Sequence, residues 1–570
     1  MIIKNIIGIT IVIILLKSIL PVSSYPQTNI GKATREVDKD LRKEAEKKLL
    51  PAPKEKPQIE KEKKKKKEKL KAVKFFVKEI KLEGVKTFLP RDFEPIVEKY
   101  ENKEGSLEQL DSLAKEIERE YLRKGVIAAC FVPPQKIKNG IVILQVIEAK
   151  MGNLEIEKHR YFKKNRLRYY WQLKNNQTMR YDKIRRSLQI MNKNPDRKVK
   201  AALHAGKKPE TTDVLLDVKT RFPVHLIASL DNEGITSTGK QRNTLGIRHN
   251  NFLGLDDSLL QGYMWGNDFS AAYVYHSIPI NNSGTSLMYG YSYSKSFPKK
   301  EYEPYGIDAR SKNSSFFIHQ DIFKKEKYLG ETYLGIESKD KTTKLITGTF
   351  THDRLRTITA GGDFIMRGFG SITYIQPEFS QGINGLGAKR QNEFSSRKAK
   401  NTFSKFNLSL THKRAIPFNW EAVLKLKAQL ASTRLSPQEE FSLGGAGSVR
   451  GYPAGDYLAD NAVQTNLEIL IPSSFFLEKT SFPFLKKHIE EATTFLLFFD
   501  YGYGRKRGVL SGERKSASLA GLGLGLRIRL FNQIILKLAW GFPVADETIT
   551  EKGHSRFHFS FDFESKTPYH

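Results

Sequence analysis

From Val224 to the C-terminus the chain is a train of segments that alternate apolar and polar residues with period two, punctuated by Gly, Asn and Asp. Period two belongs to a β-strand, because successive side chains leave a strand on opposite faces. The pattern is sharpest in Gly521-Leu522-Gly523-Leu524-Gly525-Leu526-Arg527-Ile528-Arg529-Leu530. Leu522, Leu524, Leu526, Ile528 and Leu530 share one face; Gly523, Gly525, Arg527 and Arg529 share the other. Strands that are apolar on one side and glycine or charged on the other, repeated many times, fit a closed barrel with lipid outside and a polar lumen inside. Val224–Leu230, Thr244–Asn250, Leu259–Trp265, Ser270–Ser277 and Leu287–Tyr293 read the same way. So does the last segment, where Phe557, Phe559, Phe561 and Phe563 face lipid and His558, Ser560 and Asp562 face the lumen. About 350 residues follow Phe222, and at about ten residues a strand plus turns this length accommodates sixteen strands.

One stretch breaks the alternation. Phe441 to Asp456 reads F-S-L-G-G-A-G-S-V-R-G-Y-P-A-G-D. Its glycines, among them Gly444, Gly445 and Gly451, permit close backbone approach and positive φ. It carries one arginine, Arg450, near Val449 and Tyr452. Further on, in Phe498-Phe499-Asp500-Tyr501-Gly502, Asp500 shares a face with Phe498 and Gly502 and so points inward.

The V-R-G-Y loop followed by an F-x-D-x-G strand resembles the POTRA-plus-barrel transporters of the outer membrane. The longer string F-S-L-G-G-A-G-S-V-R-G-Y is similar to one branch, the hemolysin secretion/activation proteins of two-partner secretion. The resemblance implies a loop that folds back into a barrel of about sixteen strands, with Arg450 meeting Asp500 on the inner wall. There a charge-assisted hydrogen bond is stronger than at an open surface.

Upstream, the texture is globular from Lys74. Phe75–Leu82 reads as a strand, Phe93–Tyr100 and Leu107–Arg123 as helices, and Ile127–Val132 and Ile141–Ile147 as strands. Leu107, Leu110, Leu113, Ala114, Ile117 and Tyr121 form the apolar stripe of the second helix, Ser106 its N-cap and Gly125 its end. Asn139-Gly140 is a hairpin turn. The order β-α-α-β-β and the G-V-I-A-A-C-F-V-P-P-Q string resemble the family's first POTRA domain, placed at 74–149. A second, at 150–222, has strands Met151–Glu157, Val199–His204 and Thr212–Val218 and a helix Tyr181–Met191. It carries Glu210 where glycine is more usual. The fold expected is mixed: two α+β POTRA domains, then a C-terminal antiparallel transmembrane β-barrel at 223–570.

The formal net charge is +33, which raises nucleic-acid binding. Much of the excess, however, lies in one low-complexity lysine run, and the chain has no zinc-finger spacing or RNP-like motif. The single cysteine, Cys130, excludes an intrachain disulfide and a cysteine-based metal cluster. A mean hydropathy of −0.46 argues against a helical membrane bundle but not against a barrel. Lys4, the apolar run Ile6–Leu16 and the small residues before Tyr25 read as a signal peptide cleaved after Ser24, which takes the mature protein out of the cytoplasm and away from nucleic acid. Residues 25–73 are a charged linker, and 51–71 read as a solvated tether. Within it, 33–50 carries Val37, Leu41, Ala45 and Leu49 at helical spacing, and the resemblance implies a helix that plugs the barrel.

Neither G-x-S-x-G, G-x-x-x-x-G-K-[ST] nor H-E-x-x-H occurs, so no enzymatic activity and no cofactor or metal are expected. The resemblance implies as partners a large β-helical exoprotein, outer-membrane lipid, and the barrel-assembly machinery during biogenesis. The terminal tail Glu564–His570 departs from relatives that end on the aromatic residue itself. Competing readings are an assembly or insertion factor of the same superfamily, a passive porin, and a lipid-hydrolysing enzyme fused to a barrel.

Overall fold

The computed structural model describes residues 42–43, 59–61, 74–325, 327–389, 394–475, 492–531, 533–545 and 554–570. The expected signal peptide, and all of the expected plug helix except Arg42 and Lys43, lie outside these residues. The chain forms two compact units, one built mainly from 51–223 and the other mainly from 224–252 and 257–566.

In the first unit, β1 (Ile59–Lys61), β2 (Lys74–Val77), β3 (Glu79–Glu83), α1 (Glu94–Val97), β4 (Lys103–Ser106), α2 (Leu107–Arg123), β5 (Ala128–Phe131) and β6 (Ile141–Glu148) come first. They are followed by β7 (Lys150–Glu157), α3 (Lys164–Tyr170), α4 (Tyr181–Met191), β8 (Arg197–Ala205) and β9 (Thr211–Thr220). α2 starts where the sequence places it: the Ser106 side chain accepts from the backbone N–H of Gln109, whose own side chain accepts from the Ser106 N–H. Its stripe of Leu110, Leu113, Ala114, Ile117 and Tyr121 is buried against Val142, Leu144 and Val146 of β6.

The single strand expected over Phe75–Leu82 is two. Gly140 O takes the N–H of both Lys78 and Glu79, and there the chain changes partner: β2 pairs with β4, and β3 with β6. The helix expected over Phe93–Tyr100 shortens to a 3-10 turn at Pro90–Phe93 and the single turn α1, with prolines at both starts. The tether expected over 51–71 is not wholly solvated. β1 lies in it and pairs in parallel with β8, whose edge offers unpaired backbone groups. Glu210 has φ +62, the left-handed conformation for which glycine is the usual residue.

The second unit is a closed barrel of antiparallel strands. Its strands are β10 (Val224–Asp231), β11 (Arg242–His249), β12 (Ser258–Trp265), β13 (Phe269–Pro279), β14 (Thr285–Ser296), β15 (Asp308–Lys324), β16 (Tyr328–Leu345) and β17 (Gly348–Gly368), then β18 (Ser371–Gly382), β19 (Ser404–Ile416) and β20 (Trp420–Ala431). Two short strands, β21 (Phe441–Leu443) and β22 (Tyr457–Ala459), pair only with each other. β23 (Asn461–Pro472), β24 (Thr493–Arg505), β25 (Ser516–Leu530), β26 (Ile534–Pro543) and β27 (Arg556–Glu564) complete the wall. β27 closes on β10 over five residue pairs, Ile227↔Glu564 to Asp231↔Ser560. The outer face carries Leu226, Leu245, Tyr263, Tyr291, Phe316, Leu334, Leu497 and Leu524, all well exposed. So large an apolar belt fits lipid rather than water.

Candidate functional site

The segment between β20 and β23 leaves the wall and folds into the barrel as a hairpin with the glycine-rich loop at its tip. β21 and β22 are its arms. Leu443, Val449, Tyr452 and Ala459 are fully or nearly fully buried, packed with Ala462, Ala517 and Leu519 of the inner wall. The wall makes room by lacking side chains. A Cβ on Gly502 of β24 would come within 2.8 Å of Leu443 and 3.0 Å of Val449, and one on Gly541 of β26 within 2.6 Å of the Gly451 nitrogen. A Cβ on Gly521 of β25 would overlap the Arg450 carbonyl oxygen. On the loop side, Gly444, Gly445 and Gly451 all have φ near +95 to +98, which explains those residue choices.

At the tip, Arg450 reaches Asp500 on β24. Its Nε donates to Oδ2 at 2.6 Å and its Nη2 to Oδ1 at 2.7 Å, and its backbone N–H donates to Oδ2 at 3.0 Å. This two-pronged geometry is what a planar guanidinium offers a carboxylate. Asp500 is completely buried. The guanidinium also lies 3.6 Å over the Phe498 ring, a cation–π contact. Phe498 itself fits because Gly523 opposite has no side chain: a Cβ there would approach its ring to 2.6 Å. Tyr452 O–H donates to the carbonyls of Ala520 and Ala545.

Two inward residues of β23 in the site have no counterpart among the sequence-derived candidates. Asn466 of β23 donates to Asp500 Oδ1 at 2.7 Å and to the Ser448 carbonyl at 2.6 Å. Glu468, next along the same face, sits 3.1 Å from Arg450, 3.0 Å from Lys425 of β20 and 2.8 Å from Arg527. The signal was present: Gln464, Asn466 and Glu468 alternate with Leu467 and Ile469. Arg527 and Arg529 line a lumen cavity of about 970 Å³ below the loop, together with Lys425, Glu468 and Lys537. Gly525, by contrast, faces the wall itself: the atoms nearest an added Cβ belong to Leu538, Leu496 and Ala539.

The roots of the hairpin are pinned by ions. Glu439 pairs with Lys339 at 2.9 Å and Lys405 at 2.5 Å. Glu440 and Asp460, one at each end, both hold Arg397, at 2.8 Å and 3.0 Å. Elsewhere in the lumen, Arg42 lies 2.9 Å from Glu337 of β16 and 3.0 Å from Glu378 of β18, over the Phe317 ring. Lys43 reaches Glu378 at 2.7 Å. Both residues are helical. Among the described residues, no three His, Cys, Asp or Glu side chains converge as a metal site.

Residues 210–528, more than half of the chain, match the family profile described as haemolysin secretion/activation protein ShlB/FhaC/HecB. Residues 75–149 match the ShlB-type POTRA domain. The chain is similar to the outer membrane transporter CdiB of Dickeya dadantii, 22% identical over 392 residues, with 66% of this chain and 69% of that one covered. It is also similar to the heme/hemopexin transporter protein HuxB of Haemophilus influenzae, 21% identical over 449 residues and 76% of each chain. The solved structure of CdiB from Escherichia coli superposes with a TM-score of 0.68 at 17% identity, over 88% of this chain and 93% of that one. The chain belongs to the haemolysin secretion/activation family, the outer-membrane transporters of two-partner secretion, and its POTRA region lies in the periplasm.

Proposed function

We propose that this protein captures one unfolded exoprotein in the periplasm through its POTRA region and passes it outward through the barrel, with the Arg450 hairpin as the lid of the path. The observation that carries this reading is the hairpin itself, seated in the lumen and held by a buried ion pair. A wall strand is hydrogen-bonded to a neighbour along each edge, whereas the arms of the hairpin pair only with each other, so the hairpin can leave as a unit. The basic and acidic groups lining the cavity beneath it suit a polar, extended chain in transit. The Arg42 contacts support a second obstruction: the N-terminal segment plugs the lumen until a client arrives. Exposed sheet edges pair with an extended chain largely without regard to its sequence. The chain acts without catalysis or cofactor, and folding of the client outside makes the step irreversible. The client is a large secreted β-helical protein. Outer-membrane lipid surrounds the wall, and the barrel-assembly machinery inserts it.

The test is deletion of the gene followed by mass spectrometry of the culture supernatant. Loss of one large secreted protein, with other outer-membrane barrels at normal levels, is expected. Broad loss of barrels would instead make the protein an assembly factor.

A further inference from the structure

The outer face of β14 to β17 changes character over four rungs of the sheet. The first rung is Tyr289–Phe316–Ile336–Ile358 and the next Tyr291–Ser314–Ser338–Arg356. Then come Tyr293–Lys312–Asp340–Arg354 and Lys295–Arg310–Thr342–His352. Each rung is two residues beyond the last, about 7 Å along the strand. A lipid-facing apolar surface therefore gives way to a cationic one within about 14 Å.

This edge is the extracellular one. The POTRA region is periplasmic, and the chain enters β10 from it at Val224, so odd-numbered strands from β11 to β17 begin at the outer end. The longest connections, 383–403 and 432–460, lie at that outer end as well, as is usual for barrels of this membrane.

Lys295 and Arg310 stand directly opposite one another, and like charges in that position repel. Among the described residues, the ion pair of Asp308 is to Arg310, at 2.7 Å, and that of Asp340 is to Arg356, at 2.6 Å. Lys295 and Lys312 make no ion pair among the described residues, and both side chains are exposed. Cations on the lipid-facing side cost least at the interface, and there they meet headgroups. Charge and depth together select the occupant.

We propose that Lys295, Arg310 and Lys312 form a docking site for the phosphate groups of the outer-leaflet glycolipid. The inference rests on the outer-membrane orientation alone, not on the transport role.

The experiment titrates purified full-length protein in neutral detergent with diphosphoryl lipid A and reads bound lipid by native mass spectrometry. The triple variant Lys295→Ser, Arg310→Ser, Lys312→Ser should bind roughly a hundredfold more weakly, since each cation at an anionic surface contributes a factor of about five. Lipid A stripped of its phosphates should bind wild type as weakly as the variant binds the intact lipid. Inorganic phosphate at millimolar concentration should not displace the lipid. Equal binding of the phosphorylated and dephosphorylated forms by wild type would overturn the proposal, whether or not the triple variant folds. Displacement by inorganic phosphate would reduce the patch to a simple anion site and overturn it too.

Discussion

Replacing Arg450 by alanine tests what holds the hairpin. Asp500 would lose two guanidinium bonds and its cation, keeping the backbone N–H of residue 450 and the Asn466 amide. Removing one member of a buried pair costs about 3–5 kcal/mol, because the charge left behind is uncompensated. At about 1.4 kcal/mol per decade, opening of the hairpin should become roughly 100- to 4,000-fold more frequent. Asp500→Ala should do less, since Arg450 keeps Glu468 at 3.1 Å and the face of Phe498. Arg450→Lys cannot make the two-pronged contact and should fall between wild type and alanine. The double variant Arg450→Met, Asp500→Leu leaves no orphan charge and should be milder than the sum of the singles. The assay is hydrogen exchange of residues 441–459 in the full-length protein in lipid nanodiscs. Exchange in Arg450→Ala within about twofold of wild type, the scatter expected of non-interacting sites, would refute the claim that this pair secures the loop.

Three further outcomes follow from the same geometry. Gly521→Ala puts a methyl group into the Arg450 carbonyl, so hairpin exchange should rise as in Arg450→Ala while heat-modifiability on gels shows an intact barrel. Arg42→Ala removes the contacts to Glu337, Glu378 and Phe317, and single-channel recordings should show more frequent openings; unchanged conductance would mean the segment does not obstruct the lumen. Burial, and then the Glu118 carboxylate, push the Cys130 thiol up to about 12 from an ordinary value of 9.0. The folded state therefore favours the protonated thiol. Its contribution to stability is complete below pH 9 and is lost as pH rises towards 12, and iodoacetamide at pH 8 should label Cys130 only after unfolding.

The barrel was legible because lipid on one side and water on the other impose period two on every strand, as in Leu522 to Leu530. The α2 helix was legible because Ser106 and Gln109 form a local cap. What the sequence hid is non-local. Glu378 and Arg42 are separated by 336 positions, and nothing near either residue names the other. Arg397 likewise sits in a connection after β18 yet holds both ends of a hairpin after β20. Asn466 and Glu468 carry no local motif; their role follows from the pairing of β23 with β24, where Asn466 lies opposite Asp500. The break at Lys78 has no local signature, because Phe75–Leu82 is a continuous strand-like run whose change of partner occurs where Gly140 O takes the N–H of Lys78 and Glu79.

The seat of the hairpin has a consequence for how the barrel is made. Its contacts span chain separations of roughly a hundred residues or fewer: forward, 50 residues from Arg450 to Asp500, 93 from Tyr452 to Ala545 and 107 from Gly451 to His558, and backward, 100 from Glu439 to Lys339. The closing seam joins groups 325 to 339 residues apart and has five paired positions. Loop-closure entropy for a first contact across that span exceeds the hairpin's by only about 1 kcal/mol, but low contact order favours early formation. The C-terminal third can curl around its own hairpin as around a mandrel. Its curvature is then set before the two distant edges meet, and closing the cylinder becomes the last and least redundant event of biogenesis.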